Sequence, residues 1–169
     1  MNRSILKFCC VFSFLFFLVF RLFKVTRQQR STTGNACSCS VHNITSCLQR
    51  NGITVTTVDL SEILGKANKL TANDQVVKDH LDSIKSYAPQ GKTPNEAMLQ
   101  IAKLDVVLKQ FMQEYDLDAT AIQCWTSLQQ NYGCNVCTSM SIMSENMLPS
   151  ACEVDVTGTL SMYAMQLAS

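Results

Sequence analysis

The stretch Ala119–Gly158, ATAIQCWTSLQQNYGCNVCTSMSIMSENMLPSACEVDVTG, decides the fold of this chain. It runs from a strand-like segment, AIQCW, through a polar turn to a Met-rich helical segment. It ends with two carboxylates, Glu153 and Asp155, beside a proline and a glycine. An acidic pair after an apolar run costs free energy unless a metal, a proton or a hydrogen-bond donor compensates it. Such a pair is therefore a candidate for a functional site.

Upstream of this stretch, the sequence alternates between strand and helix patterns. Ile53–Leu60 is rich in β-branched residues and predicts a strand. Helices are predicted over Glu62–Ala67 and Ala72–Tyr87 from their helical spacing of apolar residues. Thr93–Glu96, TPNE, is a strong helix-start signal, and apolar residues follow it at steps of three and four. This pattern predicts a helix of about 20 residues.

The remaining elements complete an α/β pattern. Strands are predicted over Leu117–Trp125 and around Val136, and helices over Ser139–Asn146 and Gly158–Ala168. Strands that alternate with long helices favour a partial three-layer sandwich with a mostly parallel sheet, of Rossmann or flavodoxin-like type. A hydrophobic N-terminal helix is expected before it. Two or three strands are few for a parallel sheet, so the chain is expected to be part of a larger unit.

Residues 1–30 form a hydrophobic segment that is typical of a signal or an anchor. Its core, Phe8–Phe20, is almost purely apolar, and it can be extended across charged residues to Ile5–Phe23. A signal-peptide core has about 7–15 apolar residues and a membrane span roughly 20, so the core length favours a signal. No A-x-A-like cleavage site follows, and an uncleaved anchor with membrane contact through residues 5–23 is the alternative. Residues 31–50 are polar and are interpreted as a linker before an ordered region over 51–169.

Charge and cysteine content exclude some classes of protein. The net charge is +1, from 14 basic and 13 acidic residues, and no nucleic-acid partner is expected without a basic face. The nine cysteines are odd in number and unevenly spaced, which argues against a secreted disulfide framework. The N-terminus therefore indicates export to the membrane or secretory pathway, whereas the rest of the chain is typical of an intracellular α/β protein.

Two interpretations of Glu153 and Asp155 are open. If residues 151–156 are extended, both carboxylates point to one face and suit Mg²⁺ or Mn²⁺. In the other interpretation, Ser150–Glu153 is a capping box and Asp155 lies in the first turn of a helix. The residues alone favour the helix start.

Cysteines and an amide–indole pair are further candidates. Cys134 and Cys137 have the C-x-x-C spacing of a redox motif, but neither Cys124 nor Cys152 supplies the second pair that a zinc site usually has. The thiols are interpreted as buried small hydrophobes, with thiol redox chemistry as the alternative.

Gln123 and Trp125 stand at the end of the second strand, where ligands gather in open α/β sheets. They are candidates to hold a hydroxylated ligand, and the alternative is a core indole with an edge amide. His80 is interpreted as a boundary residue of its helix rather than a ligand.

Three strings in the chain carry a resemblance to a known family. They are NGITVTTVDLSEI, LDATAIQCWTSLQQNYG and LPSACEVDVTGTLSMYAMQLAS. Together they resemble the L-fucose isomerase family and its L-fucose/L-arabinose isomerase-like relatives over roughly Asn51–Ser169. The resemblance implies metal-dependent aldose–ketose isomerases that usually use Mn²⁺, are cytoplasmic and are often homo-oligomeric.

The same resemblance assigns roles to matching residues. Glu153 matches the glutamate that binds the metal and acts in proton transfer, so it is the expected catalytic and metal-binding residue. Gln123 and Trp125 match positions near the sugar, and Asp155 matches a frequent acidic residue. The second metal carboxylate, the metal histidine and the C-terminal domain of the family would follow Ser169. Residues 51–169 are therefore expected to be a fragment of the central domain of a truncated sugar isomerase that is inactive alone. The alternative function is a membrane-anchored or exported α/β module that binds without catalysis.

Overall fold

The computed structural model describes residues 19–25, 44–89 and 91–169 of the chain. Strands and helices alternate in this part, which confirms the α/β class. The strands are β1 (Val19–Val25), β2 (Ile53–Asp59), β3 (Thr120–Ile122) and β4 (Ser150–Cys152). The helices are α1 (Ile44–Arg50), α2 (Leu60–Lys69), α3 (Gln75–Tyr87), α4 (Asn95–Glu114), α5 (Ser127–Asn131), α6 (Cys137–Glu145) and α7 (Val156–Ala168).

The four strands form one mixed sheet in the order β2-β1-β3-β4. β1 is antiparallel to β2, with Val19 opposite Asp59 and Val25 opposite Ile53, and it is also antiparallel to β3. β3 and β4 are parallel, with Thr120 opposite Ser150. A small parallel sheet is therefore present, but its centre is antiparallel because β1 lies between β2 and β3. Three of the four strands point in the same direction.

Helix α4 is the long helix that the sequence predicts, with 20 residues. It contacts α2, α3 and α6, so more than one of its sides is covered. The predicted apolar stripe is at most 8% exposed at its central positions, and two residues on other faces are equally buried. These residues are Ile101, Leu104, Leu108 and Phe111 on the stripe, and Val106 and Val107 beside it. Burial of this kind is the main source of stability for a helix in water.

The third predicted strand is wrong in its position. Val136 is fully buried, but it is the residue before α6 and has a helical backbone, with φ −90° and ψ −5°. Its neighbours Asn135 and Cys137 are both exposed, whereas Cys134 is buried, so this segment has the alternating burial of a strand without being one. The additional strand is β4, within the segment that the sequence favoured as a helix start. A strand of three residues is too short to show an alternating pattern.

The hydrophobic N-terminal run is described only at its end. Residues 19–23 of that run belong to β1 and pair with β2, so this end of the run is not helical. Residues 1–18, and residues 26–43 with most of the predicted linker, lie outside the described residues. Helix α1 occupies the last part of that linker. Among the described residues, no helix combines the length and the apolar character that crossing a membrane requires.

Candidate functional site

The carboxyl ends of β3 and β4 lie side by side. The two strands are parallel neighbours, so the segments that follow Ile122 and Cys152 leave the sheet at the same edge. Ligands of open α/β sheets bind beyond this edge. The loop after β3 contains Gln123 and Trp125, and the turn after β4 begins with Glu153. The sheet therefore brings together the three residues that the sequence predicts as a site.

Glu153 holds the loop after β3. Its Oε1 atom accepts hydrogen bonds from the backbone N–H groups of Cys124, at 3.0 Å, and Trp125, at 2.6 Å. Hydrogen bonds to a charged acceptor are stronger than neutral ones. The carboxylate is thus fixed by main-chain donors, while its Oε2 atom has no hydrogen-bond partner within the part of the chain that the structure describes.

The backbone of the turn after β4 is strained. Glu153 has φ +50° and Val154 has φ +66°, both in the left-handed region that favours glycine. This conformation costs roughly 1–2 kcal/mol per residue for an L side chain, and a β-branched residue is a true outlier there. The interpretation in which residues 151–156 are extended, with both carboxylates on one face, is therefore wrong. The left-handed turn directs the Glu153 carboxylate back to the neighbouring loop.

Gln123 and Trp125 adopt different exposures at this edge. The Gln123 Nε2 atom donates a hydrogen bond to the Trp125 carbonyl at 2.9 Å, and its buried Oε1 atom has no partner among the described residues. The Trp125 side chain is 68% exposed. The alternative of a core indole is therefore wrong, since the ring is a surface group.

Asp155 has a structural role. It is the N-cap of α7, where its Oδ1 accepts hydrogen bonds from the Gly158 N–H and the Thr157 hydroxyl, both at 2.8 Å. The interpretation of Asp155 as part of a helix start is thus supported, although it is the N-cap rather than a residue of the first turn. The capping box from Ser150 is wrong, because Ser150 belongs to β4 and its hydroxyl accepts a hydrogen bond from Thr120.

Three thiols meet beneath this edge. The Sγ atoms of Cys124, Cys137 and Cys152 lie within 4.8 Å of one another, and the Cys124–Cys137 distance is 4.0 Å. All three cysteines are free. Cys134 is not part of this group, so the alternative of a Cys134–Cys137 redox pair is not supported, and Cys137 instead contacts Cys124. Sequence spacing missed the cluster because its members come from three separate elements.

The local environment keeps several of these thiols protonated. Burial raises the pKa of Cys124 above its usual range. Burial raises the pKa of Cys134 to about 12, and the pKa of Cys152 is also raised to about 12, first by burial and then by the neighbouring Cys124 and Cys137 thiols. A redox-active cysteine needs the opposite shift. The interpretation of Cys134 as a buried small hydrophobe therefore agrees with its surroundings, whereas Cys137 is exposed.

A second polar cluster joins α3 to α4. The Asp105 carboxylate is 1% exposed, and its Oδ2 atom contacts His80 Nδ1 at 2.6 Å and Lys109 Nζ at 3.0 Å. Its Oδ1 atom is buried without a hydrogen-bond partner among the described residues. His80 is thus a boundary residue of its helix, as the sequence indicates. The sequence signal for this cluster is an acid within the apolar stripe of α4, four residues before a lysine.

The donors around Glu153 do not form a manganese site by themselves. Mn²⁺ prefers oxygen and nitrogen ligands in octahedral geometry. Glu153 offers one carboxylate, Asp155 is occupied as a helix cap, and the other ligating groups beside Glu153 are thiols. Among the described residues, the only group of three or more potential metal ligands that lie close together is formed by the three cysteines. The expected Mn²⁺ therefore lacks a fitting donor set here.

Two depressions on the described part of the chain lie away from this edge of the sheet. One, of about 270 Å³, is lined by residues that include Lys109 and Leu117, and the other, of about 370 Å³, lies at the end of α7. Neither includes Gln123, Trp125 or Glu153.

Comparisons with known proteins point to sugar isomerases. The chain is 31% identical over 121 residues to a sulfoquinovose isomerase of Alkalicoccus urumqiensis, covering 70% of this chain and 26% of the relative. It is 24% identical over 115 residues to a sulfoquinovose isomerase of Priestia aryabhattai, with 68% and 25% covered, and 25% identical over 112 residues to that of Clostridium sp. (strain MSTE9), with 66% and 25% covered. No protein-family model matches the chain, and no solved structure does.

These relatives correct the expected family. They are sugar isomerases of the same general kind as the L-fucose isomerase-like enzymes, but they are not members of that specific family. The chain spans about a quarter of the length of the curated relatives that it matches. The similarity thus supports a sugar-isomerase relationship in carbohydrate metabolism over part of such an enzyme.

Proposed function

We propose that this chain is a segment of a sugar isomerase that carries part of the substrate site and does not catalyse alone. The similarity to sulfoquinovose isomerases is the observation that carries this proposal. The proposed reaction is the interconversion of an aldose and a ketose, as the resemblance to L-fucose isomerase-like enzymes implies. A cytoplasmic location is proposed with it.

Glu153 is the proposed proton-transfer group of the complete site. Moving a carbonyl between neighbouring sugar carbons requires a base that removes a proton and an acid that returns it. The two main-chain donors fix Oε1 of the carboxylate, and Oε2 has no hydrogen-bond partner among the described residues. A carboxylate fixed in this way is oriented for proton transfer without a change of rotamer.

Gln123 and Trp125 are the proposed sugar contacts. The buried Gln123 Oε1 atom lacks a donor, and a sugar hydroxyl can supply one. The exposed Trp125 indole offers an apolar face at the same edge, against which a sugar ring can stack. Glu153, which follows β4, provides the charged group of the same site.

Catalysis by the chain alone is not expected. One carboxylate cannot serve as both acid and base for the two carbons unless a second group or a bound cation assists it. Asp155, the next carboxylate along the chain, is engaged as the N-cap of α7, and the grouped potential metal ligands among the described residues are three thiols. Mn²⁺, if the complete site uses it, would take its further ligands from residues outside the described part.

Two assays test the proposal. The purified full chain with Mn²⁺ is incubated with sulfoquinovose, L-fucose or D-arabinose, and ketose formation is measured; we expect none above the level of a reaction without protein. Product formation would refute the claim of inactivity.

The second assay uses a chimera in which residues 51–169 replace the matching segment of the Alkalicoccus urumqiensis enzyme. We expect Glu153→Gln to reduce kcat of an active chimera by at least about 100-fold, since general acid–base groups contribute about 10²–10⁴-fold. Asp155→Asn is the matched control, because it changes an acid two residues away that caps a helix. Equal activity of the Glu153→Gln chimera and its parent would refute the role of Glu153.

A further inference from the structure

Three cysteines from three different elements converge on one point. Cys124 follows β3, Cys137 is the first residue of α6 and Cys152 is the last residue of β4. Their Sγ atoms are all within 4.8 Å of one another. The isomerase proposal does not use these thiols, and their function is independent of it.

The spacing of the thiols fits a tetrahedral metal centre. A Zn–S bond of about 2.3 Å with tetrahedral angles separates two sulfur ligands by about 3.8 Å. The Cys124–Cys137 distance of 4.0 Å is already close to that value, and the limit of 4.8 Å for the other pairs requires a contraction of at most about 1 Å. Small side-chain rotations on fixed strands and a helix can supply this change.

We propose that Cys124, Cys137 and Cys152 bind one thiophilic divalent cation, Zn²⁺, as three thiolates with an open fourth position. Thiolate ligands select zinc over the hard cations that suit carboxylates. The thiol protons leave to solvent when the metal binds. Three protein ligands with a fourth position free for water or an exogenous ligand is the arrangement of reactive rather than purely structural zinc sites.

The three thiols differ in exposure, and this difference leaves a path by which a metal ion can enter from solvent. Cys124 is buried, Cys152 is half-buried and Cys137 is exposed, so the cluster opens to solvent on the side of α6. The Glu153 Oε1 atom lies 3.7 Å from the Cys152 Sγ atom. A cation held by the thiols would therefore lie next to the loop that carries Trp125. Its binding would then change the fluorescence emission of that indole.

A disulfide is the competing use of the same atoms. It would join only two of the three thiols and would require an external oxidant. A zinc site uses all three thiols and remains available under reducing conditions. Work under a phosphine reductant therefore separates the two.

The test uses the full chain in which the four cysteines outside the described residues, Cys9, Cys10, Cys37 and Cys39, are replaced by serine. Native mass spectrometry counts bound Zn²⁺, and a Co²⁺ titration measures thiolate-to-cobalt absorbance and coordination geometry. We expect one ion per chain with a tetrahedral cobalt spectrum, together with a change in Trp125 emission.

Cys137→Ser is the test variant and Cys134→Ser the matched control. Loss of an outer-sphere partner weakens metal binding by about 10–100-fold, so loss of a direct ligand is expected to weaken it by at least about 100-fold. The control is expected to bind within about threefold of the parent. Cys152→Ser is a second test variant, and far-UV circular dichroism establishes that each variant is folded.

Several results would overturn the proposal. These are no bound ion under reducing conditions, an octahedral cobalt spectrum, unchanged affinity in folded Cys137→Ser and Cys152→Ser variants, or equal loss in the Cys134→Ser control. None of these results bears on sugar-isomerase activity, which is measured separately in the chimera.

Discussion

Replacement of Glu153 by alanine should destabilise the chain by loosening the loop after β3. The substitution removes the acceptor of two backbone N–H groups, those of Cys124 and Trp125. Each hydrogen bond to a charged group contributes about 1.5–3 kcal/mol. Glu153 is exposed, and water can replace the carboxylate at Trp125 more readily than at buried Cys124. We therefore expect the free energy of unfolding to fall by about 2 kcal/mol rather than by the sum of both bonds.

Two further substitutions at the same position separate hydrogen bonding from backbone strain. Glu153→Gln keeps a carbonyl acceptor and should cost only about 1 kcal/mol, since a neutral hydrogen bond is weaker. Glu153→Gly loses the acceptor but relieves the φ of +50°, so it should be about 1 kcal/mol more stable than Glu153→Ala. The expected order of stability is parent, then Gln and Gly, then Ala.

Urea unfolding of the full chain measures this order. Trp125 is the single tryptophan, so its emission reports on the loop itself, while far-UV circular dichroism reports on the whole fold. Glu145→Ala is the control, because it removes an exposed acid at the end of α6. It is expected to change stability by less than about 0.5 kcal/mol. If Glu153→Ala and Glu145→Ala unfold alike, or if Gly and Ala are equal at position 153, the carboxylate does not hold the loop as described.

Four other outcomes are expected. Met147→Gly should be about 1 kcal/mol more stable than Met147→Ala in urea unfolding, since this exposed residue has φ +60° just after α6, and equal stability would contradict the strain. Asp155→Ala should lower the free energy of unfolding by about 1 kcal/mol through loss of the α7 cap, and no change would exclude the cap. Asp105→Asn should lower stability by about 1–3 kcal/mol because the buried carboxylate contacts two cationic or basic groups, and an unchanged thermal midpoint would argue against these contacts. In metal-free protein at pH 8, Cys134 should react with iodoacetamide more slowly than exposed Cys137, because burial raises the pKa of Cys134 to about 12, and equal rates by mass spectrometry would refute this.

Local signals in the sequence identify the helix that has a long apolar stripe. The signal at Thr93–Glu96 and the stripe after it predict α4 to its full length, because helix propensity and burial favour the same conformation there. The strand β3 is identified within a longer predicted segment, and its amide and indole do lie at the predicted edge. Tertiary contacts were not needed for these predictions.

The rest of the candidate site depends on contacts that no local pattern encodes. Glu153 and Val154 adopt left-handed backbone conformations although neither is glycine, so nothing in their side chains predicts the turn. The meeting of Cys124, Cys137 and Cys152 requires the relative positions of two strands and a helix. The C-x-x-C spacing offers only the alternative of a Cys134–Cys137 pair, because it counts separation along the chain rather than in space.

The central place of β1 has a consequence for the fate of the N-terminus. β1 alone connects β2 to β3, and its residues 19–23 come from the same apolar run that is typical of an export signal. Proteolytic removal of the first 25 residues would leave β2 without a neighbouring strand and would reduce the sheet to two three-residue strands. A protein molecule can therefore either lose this run to a processing peptidase or keep the four-stranded sheet, but it cannot do both.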